Sequence, residues 1–293
     1  MSRRAGFYAY LALAAVSFFW GTTYLGIRIS IETLPPAFVV CVRFLLSGSI
    51  LLALAKLKGA HLPRGRELWT ACLCGVLILG IGNASAVYAE QMIPSGLASL
   101  FVTILPFWMV GFEAMMGGEP LHGPTIVGML IGFGGTALLL LPGAGAAGYS
   151  TLLGFLILQT GGAGWALGSL YQRKQPSRSH PIVTGAVQQL AAGMAYIPVV
   201  LFVPEGPIVF SQRSVLALLY LVMFGSIIGY SAYIFAMDRL PVSIVSVYPY
   251  FNALVAMWLG WLFFREPFGL REWIAMLVIF TGVGIVKWQS GRR

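Results

Sequence analysis

Residues 115–121 read MMGGEPL and residues 262–268 read LFFREPF. In both stretches a Glu-Pro step joins two apolar runs, and the two steps lie 147 positions apart (266 − 119). The same offset superposes further identical residues without a gap, namely Pro94/Pro241, Ser99/Ser246, Met129/Met276, Leu130/Leu277, Phe133/Phe280 and Gly135/Gly282. Nearer the start, an offset of 145 pairs Trp20/Trp165, Pro36/Pro181, Leu45/Leu190 and Gly48/Gly193. Two nearly equal offsets that cover most of the chain indicate an internal duplication.

The composition predicts a membrane protein. Of the 293 residues, 58% are hydrophobic and only 9% are charged, and the mean hydropathy is +0.86. A soluble domain carries about 25% charged residues, so this chain lacks the polar surface that water requires. The 36 glycines agree, because small residues allow membrane helices to approach closely.

Ten apolar runs are long enough to cross a bilayer, which takes about 20 residues. They end at prolines, glycines and charge clusters, and the connections are mostly short. The predicted spans are 7–27, 36–55, 68–89, 95–116, 123–142, 150–171, 182–203, 214–236, 242–263 and 270–288.

The basic residues predict how the spans are oriented. With a cytoplasmic N-terminus, thirteen Lys and Arg fall on the cytoplasmic side and four on the other, with Arg43 inside the second span. The thirteen are Arg3, Arg4, Lys56, Lys58, Arg64, Arg66, Arg173, Lys174, Arg178, Arg239, Lys287, Arg292 and Arg293; the four are Arg28, Arg213, Arg265 and Arg271. This positive-inside bias predicts that both termini are cytoplasmic.

The fold expected is an all-α polytopic membrane protein of ten transmembrane helices, arranged as two inverted repeats. Residues 1–142 form the first five-helix repeat and residues 150–293 the second. Because five is odd, the second repeat is upside down relative to the first, as in many secondary transporters. The Glu-Pro steps predict that Glu119 and Glu266 each cap the last helix of their own repeat.

Several segments in order resemble the drug/metabolite transporter superfamily, in particular its ten-span EamA-type members. They are FFWGTTYLGIR (18–28), RFLLSG (43–48), IPSGLASLFVTILPFW (93–108) and GEP (118–120). The resemblance implies a bacterial inner-membrane exporter of amino acids, including aromatic ones, and related metabolites. It also implies a cavity lined by spans one, three, four, six, eight and nine, with spans five and ten at the periphery.

Two branches of the superfamily are disfavoured. Its four-span multidrug members use a glutamate in the first helix, and residues 7–27 contain no acidic residue. Its phosphate-sugar translocators carry basic residues in span nine, and residues 242–263 contain neither Lys nor Arg. A multiply charged anion is therefore a poor match.

Polar and aromatic residues that share a helical stripe in the inner spans are the candidate cavity lining. Together they predict a neutral, aromatic-walled site for a small amphipathic or zwitterionic solute. The candidates are Trp20, Thr23, Tyr24, Asn83, Ser99, Thr103, Trp108, Trp165, Ser169, Tyr230, Tyr233, Tyr248 and Asn252. Interfacial belts and hydrogen bonds within one helix are the competing uses of these residue types.

Ionisable residues inside a membrane are functional candidates. Arg43, Glu90 and Glu113 are therefore candidates for proton coupling or for a buried charge, and we expect Arg43 to bond carbonyls or a carboxylate. Candidate hinges are Pro106 and Pro249, which interrupt spans four and nine, and Gly161 and Gly164 in span six, where close packing is the alternative.

The predicted function is secondary transport of small amphipathic metabolites, amino acids above all, out of the cell by alternating access. An organic-cation, drug or nucleoside exporter and a channel-like facilitator are the alternatives. We expect no enzyme, because no HExxH or GxSxG occurs, and no metal or cofactor, because the three His and three Cys form no ligand group. The partners expected are the solute and the bilayer, not nucleic acid, with a monomer as the working unit.

Overall fold

The computed structural model describes residues 3–117, 121–140, 149–175, 179–240, 248–266 and 269–291. All secondary structure in these residues is helical, in ten long segments that we number α1 to α10. Three segments are composite: α3 (Arg66–Gly75, Val76–Asn83, Ala84–Ala89), α4 (Ser95–Val102, Leu105–Met115) and α8 (Gln212–Tyr220, Leu221–Ile228, Gly229–Arg239). The others are α1 (Arg3–Ser30), α2 (Pro36–Leu57), α5 (Gly123–Leu140), α6 (Tyr149–Arg173), α7 (Pro181–Phe202), α9 (Tyr248–Phe264) and α10 (Leu270–Gly291).

The helix boundaries follow the sequence signals closely. Pro36 and Pro181 stand at the first positions of α2 and α7, where the missing N–H costs nothing. Within the described residues, the segments α1 to α8 are long and apolar enough to cross a membrane. Large apolar side chains such as Leu57, Phe202 and Trp258 remain exposed, as expected of a surface that faces lipid rather than water.

The centre of the fold shows that the two repeats are related by a pseudo-twofold axis. Where α2 packs on α7, a Cβ added to Gly48 would lie 2.8 Å from Leu190 Cγ, and a Cβ added to Gly193 would lie 2.8 Å from Leu45 Cγ. These contacts are reciprocal at the offset of 145 seen in the sequence (190 − 45 and 193 − 48). Reciprocal contacts of this kind are the signature of a twofold interface.

A second pair of equivalent helices, α5 and α10, packs in the same manner at the offset of 147. A Cβ on Gly135 would lie 2.9 Å from Ala275 O, and a Cβ on Gly282 would lie 2.5 Å from Gly128 O. Glycine at these positions lets the two helix backbones touch. The molecule is thus an all-α polytopic membrane protein with two five-helix repeats in inverted orientation.

Three helices that surround the centre are interrupted, which the sequence did not predict for α3 and α8. Val76–Asn83 in α3 and Leu221–Ile228 in α8 are π-helical, and both bounds differ by 145. In α4 the helix breaks between Val102 and Leu105, just before Pro106. π-Helical segments widen a helix and occur frequently at functional sites.

The Glu-Pro prediction was wrong for Glu266. Its carboxylate bonds no described N–H group at the start of α10; it accepts hydrogen bonds from the backbone N–H groups of Ser95 (2.8 Å) and Gly96 (3.0 Å) at the start of α4. The acid therefore caps a helix of the opposite repeat, where it meets unpaired N–H groups and the positive end of the helix dipole. Glu119 lies outside the described residues.

Glu205, in the connection between α7 and α8, behaves similarly. One carboxylate oxygen accepts from the backbone N–H of Ala37 at the start of α2 (2.8 Å), and the other accepts from the Tyr88 hydroxyl (2.6 Å). Two acidic side chains of the second repeat, Glu205 and Glu266, thus cap the N-termini of helices in the first repeat.

Candidate functional site

A cavity lies between the two repeats, beside the π-helical segments of α3 and α8 and the break in α4. Its space, including the part open to solvent, is about 810 Å³. The lining comes from eight helices and includes Ile27, Phe44, Leu79, Gly82, Ala86, Val102 and Leu105 beside polar and aromatic groups. No described residue of α5 or α10 is among the lining residues.

Aromatic rings form one wall, centred on Trp20. The two tryptophans that the repeat makes equivalent, Trp20 and Trp165, meet edge to face with their ring centres 6.1 Å apart. Tyr248 packs edge-on against Trp20 at 5.0 Å, and the Trp20 indole N–H donates to the carbonyl of Gly225 (2.9 Å). This hydrogen bond and the ring packing fix the wall from both repeats at once.

Besides the aromatic wall, the lining contains a basic side chain, Arg43 of α2, which is 3% exposed. Its Nε donates to Ser226 Oγ (2.9 Å) and its Nη1 to Asn83 Oδ1 (3.1 Å), so the guanidinium joins the π-helical segments of α8 and α3. The cavity therefore has a fixed positive charge, and the prediction of a neutral lining was incomplete.

Amides and hydroxyls complete the lining. Oriented to satisfy its neighbours, the Asn252 amide donates to the carbonyls of Tyr248 (3.0 Å) and Ser17 (2.7 Å). The Thr23 hydroxyl bonds back to Trp20 O (2.6 Å), as threonine commonly does within a helix. Gln189 of α7 accepts from Ser47 and also lines the cavity.

The structure brings most of the predicted lining together. Eight of the candidates face the cavity, namely Trp20, Thr23, Tyr24, Asn83, Trp165, Tyr230, Tyr248 and Asn252. Tyr233 stands one layer behind, with its ring centre 5.2 Å from that of Trp20.

The remaining four candidates do not line the cavity. The hydroxyls of Ser99 and Thr103 bond to carbonyls three residues earlier in α4, at 2.7 and 2.6 Å. The Trp108 indole donates to Gln159 Oε1 (2.9 Å), between α4 and α6. Ser169, half-buried on α6, is also absent from the lining. Helical spacing shows which residues share one face of a helix, but it does not show whether that face contacts the cavity or another helix.

The sequence analysis missed the part of the lining that comes from α2 and α7. Phe44 and Gln189 line the cavity although neither helix was expected to reach it, and Ser226 joins them from α8. The adjacent glutamines 188 and 189 in an otherwise apolar run were a usable signal, because unpaired amides are costly in a membrane. Gln188 accepts from the Tyr230 hydroxyl and donates to Gln172 (2.8 Å).

Glu90 does not line the cavity. It lies in the turn that follows α3, outside the membrane-spanning segment Arg66–Ala89. It is 0% exposed, and neither carboxylate oxygen has a hydrogen-bond partner among the described residues. Burial, helped by the nearby Glu266 carboxylate and opposed by Arg28, raises the pKa of the Glu90 carboxyl well above its usual range. Glu113, in the last turns of α4, is only half-buried and does not line the cavity.

The predicted hinge residues divide into two kinds. Pro106 follows the break in α4, and Pro249 lines the cavity in the first turn described for α9. Gly161 and Gly164 lie where the uninterrupted α6 touches α3, against Ser85 and Ile81 respectively. Close packing explains the two glycines, and a hinge role for them stays a prediction.

The sequence matches the EamA-like transporter family over residues 7–141 and 152–288. It is 34% identical to the uncharacterized inner membrane transporter YedA of Escherichia coli K12, over 94% of this chain and 89% of that protein. It is 26% identical to the uncharacterized transporter YvbV of Bacillus subtilis, over 96% and 92% of the two chains.

One solved crystal structure overlays with a TM-score of 0.70 at 22% identity, covering 97% of this chain and 98% of its own. At that identity the likeness shows the fold alone. The named relatives are transporters and not enzymes, and the first of them is an inner-membrane protein.

Proposed function

This chain belongs to the EamA-like transporter family, and we propose that it exports small amphipathic metabolites by alternating access, above all amino acids with aromatic or hydrophobic side chains. Export and the amino-acid class are suggested by the resemblance of its motifs to those of amino-acid exporters. The inner membrane is the expected location.

The observation that carries the proposal is the cavity between the repeats, where Trp20 of one and Trp165 of the other meet. Ring faces give an apolar side chain its contact area and can also hold an ammonium group. Asn83, Ser226 and Gln189 supply hydrogen-bonding groups for polar ends. A zwitterion with an apolar side chain matches both halves of this lining.

The interruptions in α3, α4 and α8 support alternating access. Each lies beside the cavity, so a rocking motion of either repeat bends the helices where their hydrogen bonding is already irregular. The equivalent positions of the two π-helical segments give each repeat its own flexible point. Outward and inward opening then become motions that the pseudo-twofold axis relates to each other.

Glu90 is the residue we propose to couple transport to protons. A buried carboxyl without a donor is stable when protonated, and it becomes ionised when an opening motion admits water or brings it closer to Arg28. Arg28 already donates to the Glu90 backbone carbonyl, and Tyr24, one turn earlier on α1, lines the cavity. A change at Glu90 can therefore reach the cavity along one helix.

The test is counterflow of labelled solute in proteoliposomes that contain the purified protein. The panel comprises amino acids, nucleosides and organic cations, each measured with and without a pH gradient. We expect saturable exchange of aromatic or branched-chain amino acids. Exchange confined to nucleosides or to organic cations would replace the amino-acid proposal, and non-saturable flux would indicate a channel.

A further inference from the structure

The positive charge of Arg43 lacks an anionic partner in the described part of the protein. A guanidinium has five N–H donors, and two of them are used, on Ser226 Oγ and Asn83 Oδ1. Both acceptors are neutral. The ion pair found among the described residues joins Arg213, which is exposed, to Glu32 (3.2 Å) and does not involve Arg43.

An uncompensated charge in this place is expensive. Arginine cannot be deprotonated under ordinary conditions, so it cannot lower the cost by becoming neutral. Burying an unpaired ion carries a large desolvation penalty, because the ion loses its hydration. An ionisable residue in such a position is a candidate for binding a ligand of opposite charge.

The local geometry holds the guanidinium ready for a planar anion. Ser226 and Asn83 bond different nitrogens and thereby fix the plane of the group from two helices. Gly225 leaves room beside it, because a Cβ there would lie 2.9 Å from Arg43 Nη2. The unused N–H groups point to bidentate binding, for which a carboxylate has the matching shape.

We propose that Arg43 is the anchor for the carboxylate of the transported solute. This inference rests on the proposed function and sharpens it: the substrate is a metabolite with a single free carboxylate, whose apolar part packs against Trp20, Trp165 and Tyr248. The same charge repels organic cations, so amines that lack a carboxylate are excluded. Carboxylate binding is the property that Arg43 adds to an otherwise aromatic site.

The experiment begins with the unaltered protein, so it does not depend on how a variant folds. Binding is measured by thermal stabilisation and by competition in counterflow, with L-phenylalanine, 3-phenylpropionate, L-phenylalaninamide and phenethylamine, and with the corresponding leucine series. We expect the two carboxylates of each series to bind at least about tenfold more tightly than the amide and the amine, as loss of a charge-assisted hydrogen bond predicts.

Variants assign the preference to one residue. Arg43→Gln should weaken carboxylate binding by about 100-fold, as expected when one partner of a buried charge pair is removed, and Arg43→Lys should restore part of it. Arg213→Gln is the control, because it also removes one positive charge but at an exposed site.

The outcomes separate this inference from the proposed function. If the amide and the amine bind as tightly as the acids, or if no carboxylate binds, the anchor is overturned. If amino acids exchange equally well in the wild type and in a folded Arg43→Gln, transport of amino acids stands and the anchor falls. If 3-phenylpropionate binds through Arg43 while no amino acid exchanges, the anchor stands and the amino-acid proposal falls.

Discussion

Of the acidic and basic side chains that the structure describes, two are buried, Arg43 and Glu90. Their surroundings differ. Arg43 faces the cavity and has two hydrogen-bond partners on helices of both repeats. Glu90 lies in the turn after α3, and its carboxylate has no described partner. An arginine keeps its charge wherever it is placed, whereas a carboxyl can release or take up a proton. The cavity thus contains a permanent charge, and a carboxyl that can change its charge lies beside Arg28, about one helical turn along α1 from the cavity-lining Tyr24.

The largest effect is expected on solute exchange when Arg43 is replaced by glutamine, and the same replacement at Glu90 gives the comparison. In counterflow, Arg43→Gln should reduce amino-acid exchange by about 100-fold, because substrate loses its buried partner. Glu90→Gln should leave exchange within about twofold of wild type, since the neutral amide resembles the protonated acid. Equal losses in both variants would erase the distinction between a permanent and a switchable charge.

The second effect concerns accumulation against a gradient. An imposed pH difference should drive net accumulation in the wild type and fail to do so in Glu90→Gln, a loss of about tenfold or more if Glu90 is the proton-carrying group. Glu113→Gln is the matched control, because Glu113 is acidic but half-buried. Proton-driven accumulation that survives in Glu90→Gln would rule out coupling by Glu90.

A third, smaller effect tests how the Arg43 side chain is held. A Cβ added to Gly225 would lie 2.8 Å from Thr23 Cγ2 and 2.9 Å from Arg43 Nη2. Gly225→Ala should therefore displace the guanidinium and lower carboxylate affinity by about tenfold, as for one charge-assisted hydrogen bond.

The repeat supplies the control for that substitution. Gly80 occupies the equivalent place in the π-helical segment of α3 (225 − 80 = 145), and a Cβ there meets its nearest atom at 3.7 Å, an ordinary contact. Gly80→Ala should leave affinity unchanged. A similar loss in both alanine variants would point to general damage to the π-helical segments rather than to Arg43.

The smallest effect is on stability. Because the pKa of Glu90 is raised in the folded protein, the fold binds this proton more tightly than the unfolded chain does. Its contribution is complete below the usual carboxyl pKa and is lost as pH rises through the raised value. Thermal unfolding in detergent should show wild type losing stability with rising pH, and Glu90→Gln should remove that part of the slope. An identical slope in both proteins would show that Glu90 is already ionised in the fold.

The helix count, the boundaries and the repeat could be predicted because each depends on local composition. Bilayer thickness sets the length of an apolar run, proline marks a helix start, and identical residues at a fixed offset reveal duplication. Trp20 and Trp165 were predicted from their helical stripes and supported by their equivalent positions in the repeat, and the structure places them in contact.

The errors arose where the sequence around a residue does not determine which group its side chain contacts. Glu266 was assigned to the helix that follows it in sequence, yet its carboxylate caps α4. Ser99 and Thr103 share a helical stripe with cavity residues, but their hydroxyls bond within α4 instead. Thr23 also bonds within its own helix and yet lines the cavity, so such a bond does not tell which threonines face a solute.

The sequence by itself determined that this protein spans a membrane as ten helices in two inverted halves, because hydrophobic length, an odd span number and a repeat offset are properties of the chain alone. Only the tertiary structure decided that α2 and α7 reach the cavity, that α3 and α8 are π-helical beside it, and that Arg43 holds its charge there. These features depend on the relative orientation of the two repeats. That orientation is fixed by contacts between glycines and side chains more than a hundred residues apart.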